Sequence, residues 1–270
     1  MTFGYSSQAE RYSCDFSISQ PAYLDSLSLF YYRSVNIDPD DTEKHLMRLR
    51  RHIQKLQKRL DKDGPTEYLM KSIFFKTHEK FLKNYENVVS YDRLIAEGKY
   101  NCISGSALYV AILGALNIPH KIFETEEHVF LMVYAGEKRY LFESTDPLNG
   151  FVTNENSIAN HLAGFTDDYS TSELQQVGSG DSSYNRFGLK SVHGLPVLAG
   201  LQYYNEAVVS FNEGRLSEAY RLAIQGYSLY PSDRLVNSMD TILESIMNNE
   251  MIPEKTKVSL QKQHITYLNK

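Results

Sequence analysis

The spacing of apolar positions changes character along the chain. Between Pro21 and Arg33, Tyr23, Leu27, Phe30 and Tyr31 recur at helical intervals. Asp38-Pro39-Asp40-Asp41-Thr42 then supplies turn and N-cap chemistry. Leu46, Leu49, Ile53, Leu56 and Leu60 follow at steps of three and four, which predicts an amphipathic helix ended by Asp63-Gly64-Pro65. A further helix is expected from about Thr66 to Lys83, with Phe74, Phe75, Phe81 and Leu82 for the core. Behind Cys102 a run of small and apolar residues, Ala107 to Leu116, reads as a buried helix, and Asn117-Ile118-Pro119 stops it. The pattern then becomes strand-like at His120–Phe123, Val129–Tyr134 and Arg139–Glu143, with Ala135 to Lys138 as a hairpin loop. The first residues, Met1 to Gln20, read as loosely ordered, and the Ser-, Asp- and Gly-rich stretch from Thr166 to Asn185 reads as a loop. From Pro196 onward the pattern is helical again. A helix followed by adjacent antiparallel strands predicts an α+β class rather than alternating βαβ units.

Composition narrows the partners. With 270 residues, 42% hydrophobic and 23% charged, the chain can bury a core without disulfide staples. A net charge of −5 argues against nucleic acid as the main partner, because phosphate binding needs a basic field. Arg48, Arg50, Arg51, Lys55, Lys58, Arg59 and Lys62 lie mostly between the apolar positions of their helix, without interleaved aromatics, and read as a solvated face. No stretch approaches the ~20 apolar residues of a membrane span. Met1 to Gln20 lacks an apolar h-region, so no signal peptide is expected and a cytoplasmic location is favoured unless a leader has been removed. Cys14 and Cys102 read as free thiols. The histidines form no HExxH and the cysteines no metal-ligand pair, so neither metal nor cofactor is expected. His45, His52, His78, His161, His193 and His264 read as ordinary surface or core residues, with His161 placed beyond the acid strand where it could line a cleft.

Candidate chemistry centres on Cys102. At a helix start, free N–H groups and the helix dipole favour a thiolate, and the same N–H groups can hold an oxyanion. His128 opens an apolar strand after Glu126-Glu127 and can serve as base. Its imidazole needs a third group to hold its tautomer, and both Glu143, across the hairpin, and Asp146 are candidates. Asn101, Tyr91 and Tyr100 are candidates for a second oxyanion donor by nearness in sequence alone.

Asn101-Cys102, Ser104, Ser106, Leu108, Tyr109, Leu113, Leu116 and Ile118-Pro119, then His128 with Phe130, then Phe142-Glu143-Ser144-Thr145, together resemble the transglutaminase-like superfamily. The resemblance spans roughly Val88 to Phe151, with Glu143 where that family usually has Asp and Asn117 in place of its usual glycine. The Glu form, with Pro147 and Gly150-Phe151, is similar to bacterial members carrying helical repeats after the catalytic domain. The resemblance implies a papain-like α+β core, about residues 84–165, within a first domain of residues 1–195 that also holds the N-terminal helices. It implies Cys102 as nucleophile, His128 as base and Glu143 as orienting acid of a cysteine hydrolase or acyl transferase acting on peptide amides, without a cofactor. Hydrolysis is favoured over cross-linking because the sequence shows no amine site or calcium loop. The other functional reading is a catalytically silent module that binds a peptide or protein.

Residues 196–270 form the second expected domain. Tyr203, Ala207, Gly214, Ala219, Ala223 and Pro231 fall at spacings similar to a tetratricopeptide repeat over Gly200 to Asp233, with a plain helical hairpin as the alternative. Arg234–Asn249 and Pro253–Leu268 read as a degenerate second repeat or a cap, and these helices are a candidate surface for a protein partner.

Overall fold

The computed structural model describes residues 39–125, 128–164, 190–192 and 194–268. The helix expected over 21–33, the loop over 166–185, Cys14, Glu126-Glu127 and His193 lie outside the described residues. The chain divides into two compact units, one of residues up to Asn87 with Tyr91–Leu195, the other of Val88–Ser90 with Pro196–Lys270.

The first unit opens with helices α1 (Pro39–Asp63) and α2 (Glu67–Phe81). They meet through buried Leu49, Ile53 and Leu56 of α1 and Leu69, Met70 and Ile73 of α2, the stripes that the helical spacing requires. Arg50, Arg51, Lys55 and Lys58 stay exposed. Strand β1 (Asn84–Tyr85), helix α3 (Tyr91–Glu97) and strand β2 (Lys99–Tyr100) follow, with β1 and β2 paired in parallel so that Tyr85 stands opposite Tyr100. Helix α4 (Cys102–Ala115) leads into β3 (His120–Glu124), β4 (Val129–Ala135), β5 (Lys138–Phe142), β6 (Phe151–Val152), helix α5 (Glu155–Ala163) and β7 (Lys190–Val192). The five strands β3–β7 form a sheet of order β6-β5-β4-β3-β7 in which every neighbouring pair is antiparallel. The class is therefore α+β, with helices packed on a small antiparallel sheet.

Strand β4 is buried at every position because both faces of the sheet are covered. Phe130, Met132 and Tyr134 pack with Ile158, Ala159 and Leu162 of α5. The alternate positions turn toward α4, which contacts β4. On that side the Phe142 ring meets Tyr109 of α4 and Phe74 of α2, each with centroids 5.4 Å apart. The Tyr109 hydroxyl donates to the Phe74 carbonyl at 2.9 Å, so a phenol can sit in this core without an unsatisfied polar group. Enclosure between the sheet and α2 explains why α4 has no polar face.

Local signals set the ends of α4. Asn101 caps it, its Oδ1 accepting from Ser104 N at 2.8 Å while Ser104 Oγ accepts from Asn101 N at 3.0 Å. At the other end Asn117 takes φ 52°, Asn117 N donates to Gly114 O and Ile118 N to Leu113 O. This is a Schellman stop with asparagine in the left-handed position. The β4–β5 turn is tighter than the pattern suggests. Ala135 pairs with Lys138, leaving Gly136-Glu137 at the tip, and Gly136 supplies the positive φ of 62° that a two-residue turn needs at its first position.

The second unit consists of α6 (Leu195–Asn212), α7 (Leu216–Leu229), α8 (Asp233–Met247) and α9 (Glu254–Leu268), with Val88–Ser90 tied to it by Gln202 Nε2 donating to Val89 O at 2.9 Å. Helices α6 and α7 approach closely at two glycines. A Cβ on Gly226 would lie 2.9 Å from the Gly200 carbonyl, and one on Gly200 would lie 2.6 Å from Tyr230 Cβ. Tyr203, Ala207, Ala219, Tyr220, Ala223, Met239 and Ile242 form the core. His264 bridges Tyr220 Oη and Asp240 Oδ1, both at 2.9 Å, linking α7, α8 and α9. Among the described residues no helix is long and apolar enough to cross a membrane, and no group of His, Cys, Asp and Glu side chains is disposed to hold a metal ion.

Candidate active site

Cys102 is the first residue of α4, directly after the Asn101 cap, and its thiol is free and partly exposed. N–H groups in the first turn of a helix have no carbonyl four residues behind them, so this end of α4 presents donors and a partial positive charge beside the sulfur. The tightness of that turn has a cause in sequence. A Cβ on Gly105 would fall 2.8 Å from Ser144 Oγ and 2.9 Å from Ser144 Cβ, so only glycine lets the chain after Glu143 lie against the helix start.

His128 stands just before β4. Thr125 N donates to His128 O and His128 N donates to Thr125 Oγ1, both at 2.9 Å, which fixes the backbone where β3 passes into β4. The imidazole lies over the Phe130 ring at a centroid distance of 6.5 Å. Its Nε2 is 2.5 Å from Glu143 Oε2, and the ring is also hydrogen-bonded with Cys102. Burial alone would push the imidazole down, but the hydrogen bonds with Cys102 and Glu143, and their negative charge, lift it to about 10.

Glu143 follows the last residue of β5, and its side chain is 5% exposed. Oε1 accepts from Thr145 N at 2.8 Å and from Thr145 Oγ1 at 2.6 Å, leaving Oε2 for His128. His161 of α5 places its Nε2 3.7 Å from the same Oε2 and turns its ring edge toward Phe130. Burial pushes this carboxyl up. The hydrogen bond from His128, the His161 imidazole 3.7 Å away and the hydrogen bonds from Thr145 more than reverse that and hold it at about 2. The carboxylate is thus ionised, buried and flanked by two imidazoles.

Of the two acids singled out in the sequence, the structure brings Glu143 and not Asp146 to His128. Asp146 Oδ1 accepts from Leu148 N at 3.0 Å and Asn149 N at 2.9 Å, closing the 143–150 loop. Gly150 is required at the far end of that loop, because a Cβ there would fall 2.1 Å from the Glu143 carbonyl. A cleft of about 410 Å³ opens beside the pair, lined by His128, Glu143, Thr145, Asp146, Asn149, Gly150 and His161.

The three residues near Cys102 named as oxyanion donors do not present side chains to this cleft. Asn101 is 0% exposed, its Oδ1 accepting from Ser104 N, while Tyr91 and Tyr100 are 1% and 2% exposed. Tyr85, which the sequence reading passed over, lies within reach of the charges of Cys102 and Glu143; burial and then those two charges push its phenol above the ordinary tyrosine range. Its strand is two residues long and carries no periodic signal. Comparison of the chain with protein-family models, with curated proteins and with solved structures finds no match.

Proposed function

We propose that the chain is a cysteine-dependent hydrolase or acyl transferase acting on peptide amide bonds, built on a transglutaminase-like core of papain type. The observation that carries the proposal is the buried Glu143 carboxylate, 2.5 Å from His128 Nε2 on a ring that is also bonded with Cys102. An imidazolium held by a carboxylate beside a sulfur at a helix N-terminus is an arrangement that favours a nucleophilic thiolate. Holding a bare carboxylate under a histidine in this way costs desolvation, which binding a peptide passively does not require.

In the proposed reaction the Cys102 sulfur attacks the amide carbonyl and His128 gives its proton to the leaving nitrogen. The resulting thioester is hydrolysed by a water that His128 deprotonates. Glu143 holds the imidazole tautomer and stabilises its charged form. Water rather than an amine is assigned as the acceptor, so the reaction is peptidase-like.

Alkylation by iodoacetamide at neutral pH tests the first step. Cys102 is expected to react well ahead of Cys14, and His128→Ala is expected to slow it at least tenfold, in line with the usual worth of a positioned acid–base group. Cys102→Ala removes peptide hydrolysis altogether. Hydrolysis undiminished in Cys102→Ala, or alkylation of Cys102 no faster than of Cys14, overturns the proposal.

A further inference from the structure

A thiolate attacking a carbonyl needs donors for the oxygen that becomes negative. The first turn of α4 offers backbone N–H groups, and the Asn101 side chain beside it is fully buried, its Oδ1 accepting from Ser104 N. Tyr91 and Tyr100 are buried. Tyr85, whose strand pairs it with Tyr100 two residues before Cys102, carries an exposed phenol.

Its placement is built rather than incidental. β1 is a two-residue strand whose pairing with β2 sets Tyr85 opposite Tyr100, and Tyr100 is followed directly by the Asn101 cap and Cys102. The pairing is continued by Glu86 N donating to Tyr100 O at 2.9 Å, and Glu86 Oε1 is 2.9 Å from Lys99 Nζ. The Tyr85 ring stands edge-on to the Tyr100 ring with centroids 5.8 Å apart, at 74°. Tyr85 is nonetheless 45% exposed, so one side rests on Tyr100 while the other is open to a ligand. An upward-shifted phenol also stays protonated throughout the neutral range and keeps its O–H to donate.

We propose that the Tyr85 hydroxyl donates to the oxyanion formed when Cys102 attacks a carbonyl, which makes Tyr85 a further catalytic residue. The inference rests on the Cys102–His128–Glu143 reading above. As the S–C bond forms, the carbonyl π pair moves onto oxygen, where the phenol O–H and the α4 backbone N–H groups receive it; Tyr85 keeps its proton. When the tetrahedral species collapses, the C–N bond breaks and the leaving nitrogen takes the proton from His128. Attack by water on the thioester repeats the sequence, with the water proton passing to His128 and sulfur leaving.

Two reactions of the same thiol separate this role from a structural one. Acylation by p-nitrophenyl acetate passes through an oxyanion and releases p-nitrophenolate, whereas alkylation by iodoacetamide is a displacement at saturated carbon with no oxyanion. Tyr85→Phe keeps the ring on Tyr100 and removes only the hydroxyl. It is expected to slow acylation by about 100-fold, the usual cost of one oxyanion donor, while alkylation keeps the wild-type rate. Tyr85→Gln, which restores a donor without the ring, is expected to recover part of the acylation rate relative to Tyr85→Leu. Acylation by Tyr85→Phe at the wild-type rate overturns the inference, and so does an equal loss in both reactions, which would show that Tyr85 acts on the thiol itself. Slow alkylation of Cys102 in the unsubstituted protein would instead overturn the reading on which the inference rests.

Discussion

At the scale of single residues, the question is which carboxylate serves His128. The hydrogen bonds answer it: Glu143 gives one oxygen to His128 and the other to Thr145, while Asp146 is used up by Leu148 and Asn149. Glu143→Gln is therefore expected to slow Cys102 alkylation at least tenfold, and Asp146→Asn, whose Oδ1 can still accept from Leu148 N and Asn149 N, to leave it nearly unchanged. The ionisation of the pair adds a pH signature. His128 is raised to about 10, so its contribution to stability is complete below its unfolded value of 6.5 and is lost as pH rises through 10. Glu143 is lowered to about 2, so its contribution is complete above its unfolded value of 4.5 and is lost as pH falls through 2. The Tm difference between the protein and Glu143→Gln is thus expected to be largest between pH 4.5 and 6.5 and to narrow on either side. Thermal melts across that range check it.

At the scale of elements, α4 and the 143–150 loop must approach closely for the residues to meet. Gly105 is the contact point, with Ser144 where its Cβ would be. Gly105→Ala is expected to cost about 1–3 kcal/mol, the usual penalty of overpacking, and to slow alkylation because the loop that carries Glu143 is pushed from the helix. Adding Ser144→Gly removes the obstructing side chain and should recover much of both losses, a coupling that a double-variant cycle reads directly. The longer elements here were legible in the chain. Helix α4 has Asn101 at its start, Asn117 at its stop and an unbroken apolar run between, and the β4–β5 hairpin shows as paired apolar runs. The short elements were not. β1, β2 and β6 have two residues each, too few for any period, and exist because their partners hold them. Helix α5 had a readable start in Asn154, whose side chain accepts from Asn156 N and Ser157 N, and it brings His161 to Glu143.

Across the whole molecule, the buried histidines of α1 and α2 set the response to acid. His45, His52 and His78 are each lowered to about 4, first by burial, with Arg48 adding to His45 and Lys80, Lys55, Lys76 and Arg59 adding to His52. A histidine depressed in the folded state gives stability that is complete above 6.5 and is lost as pH falls toward 4, because the unfolded chain takes up protons that the native one refuses. Tm is therefore expected to drop steeply between pH 6.5 and 4, and His45→Leu to flatten that drop; a melt series at closely spaced pH values tests both. The basic residues of α1 appear in the sequence as a solvated face, yet two of them, Lys55 and Arg59, also add to the field that lowers His52.

By itself the sequence determined what local chemistry can determine: the ends of α4, the strands of the hairpin, the apolar stripes of the helices and the types of residue able to form a thiol–imidazole–carboxylate set. Each depends on neighbours within a few positions, where spacing and capping act. The tertiary structure decided the choice of Glu143 over Asp146, the second imidazole at His161, the neutral state of His45, His52 and His78, and the pairing of Tyr85 with Tyr100, two residues before Cys102. Those depend on burial and on distances between residues far apart in the chain, and neither quantity exists until the sheet, α2 and α4 have packed.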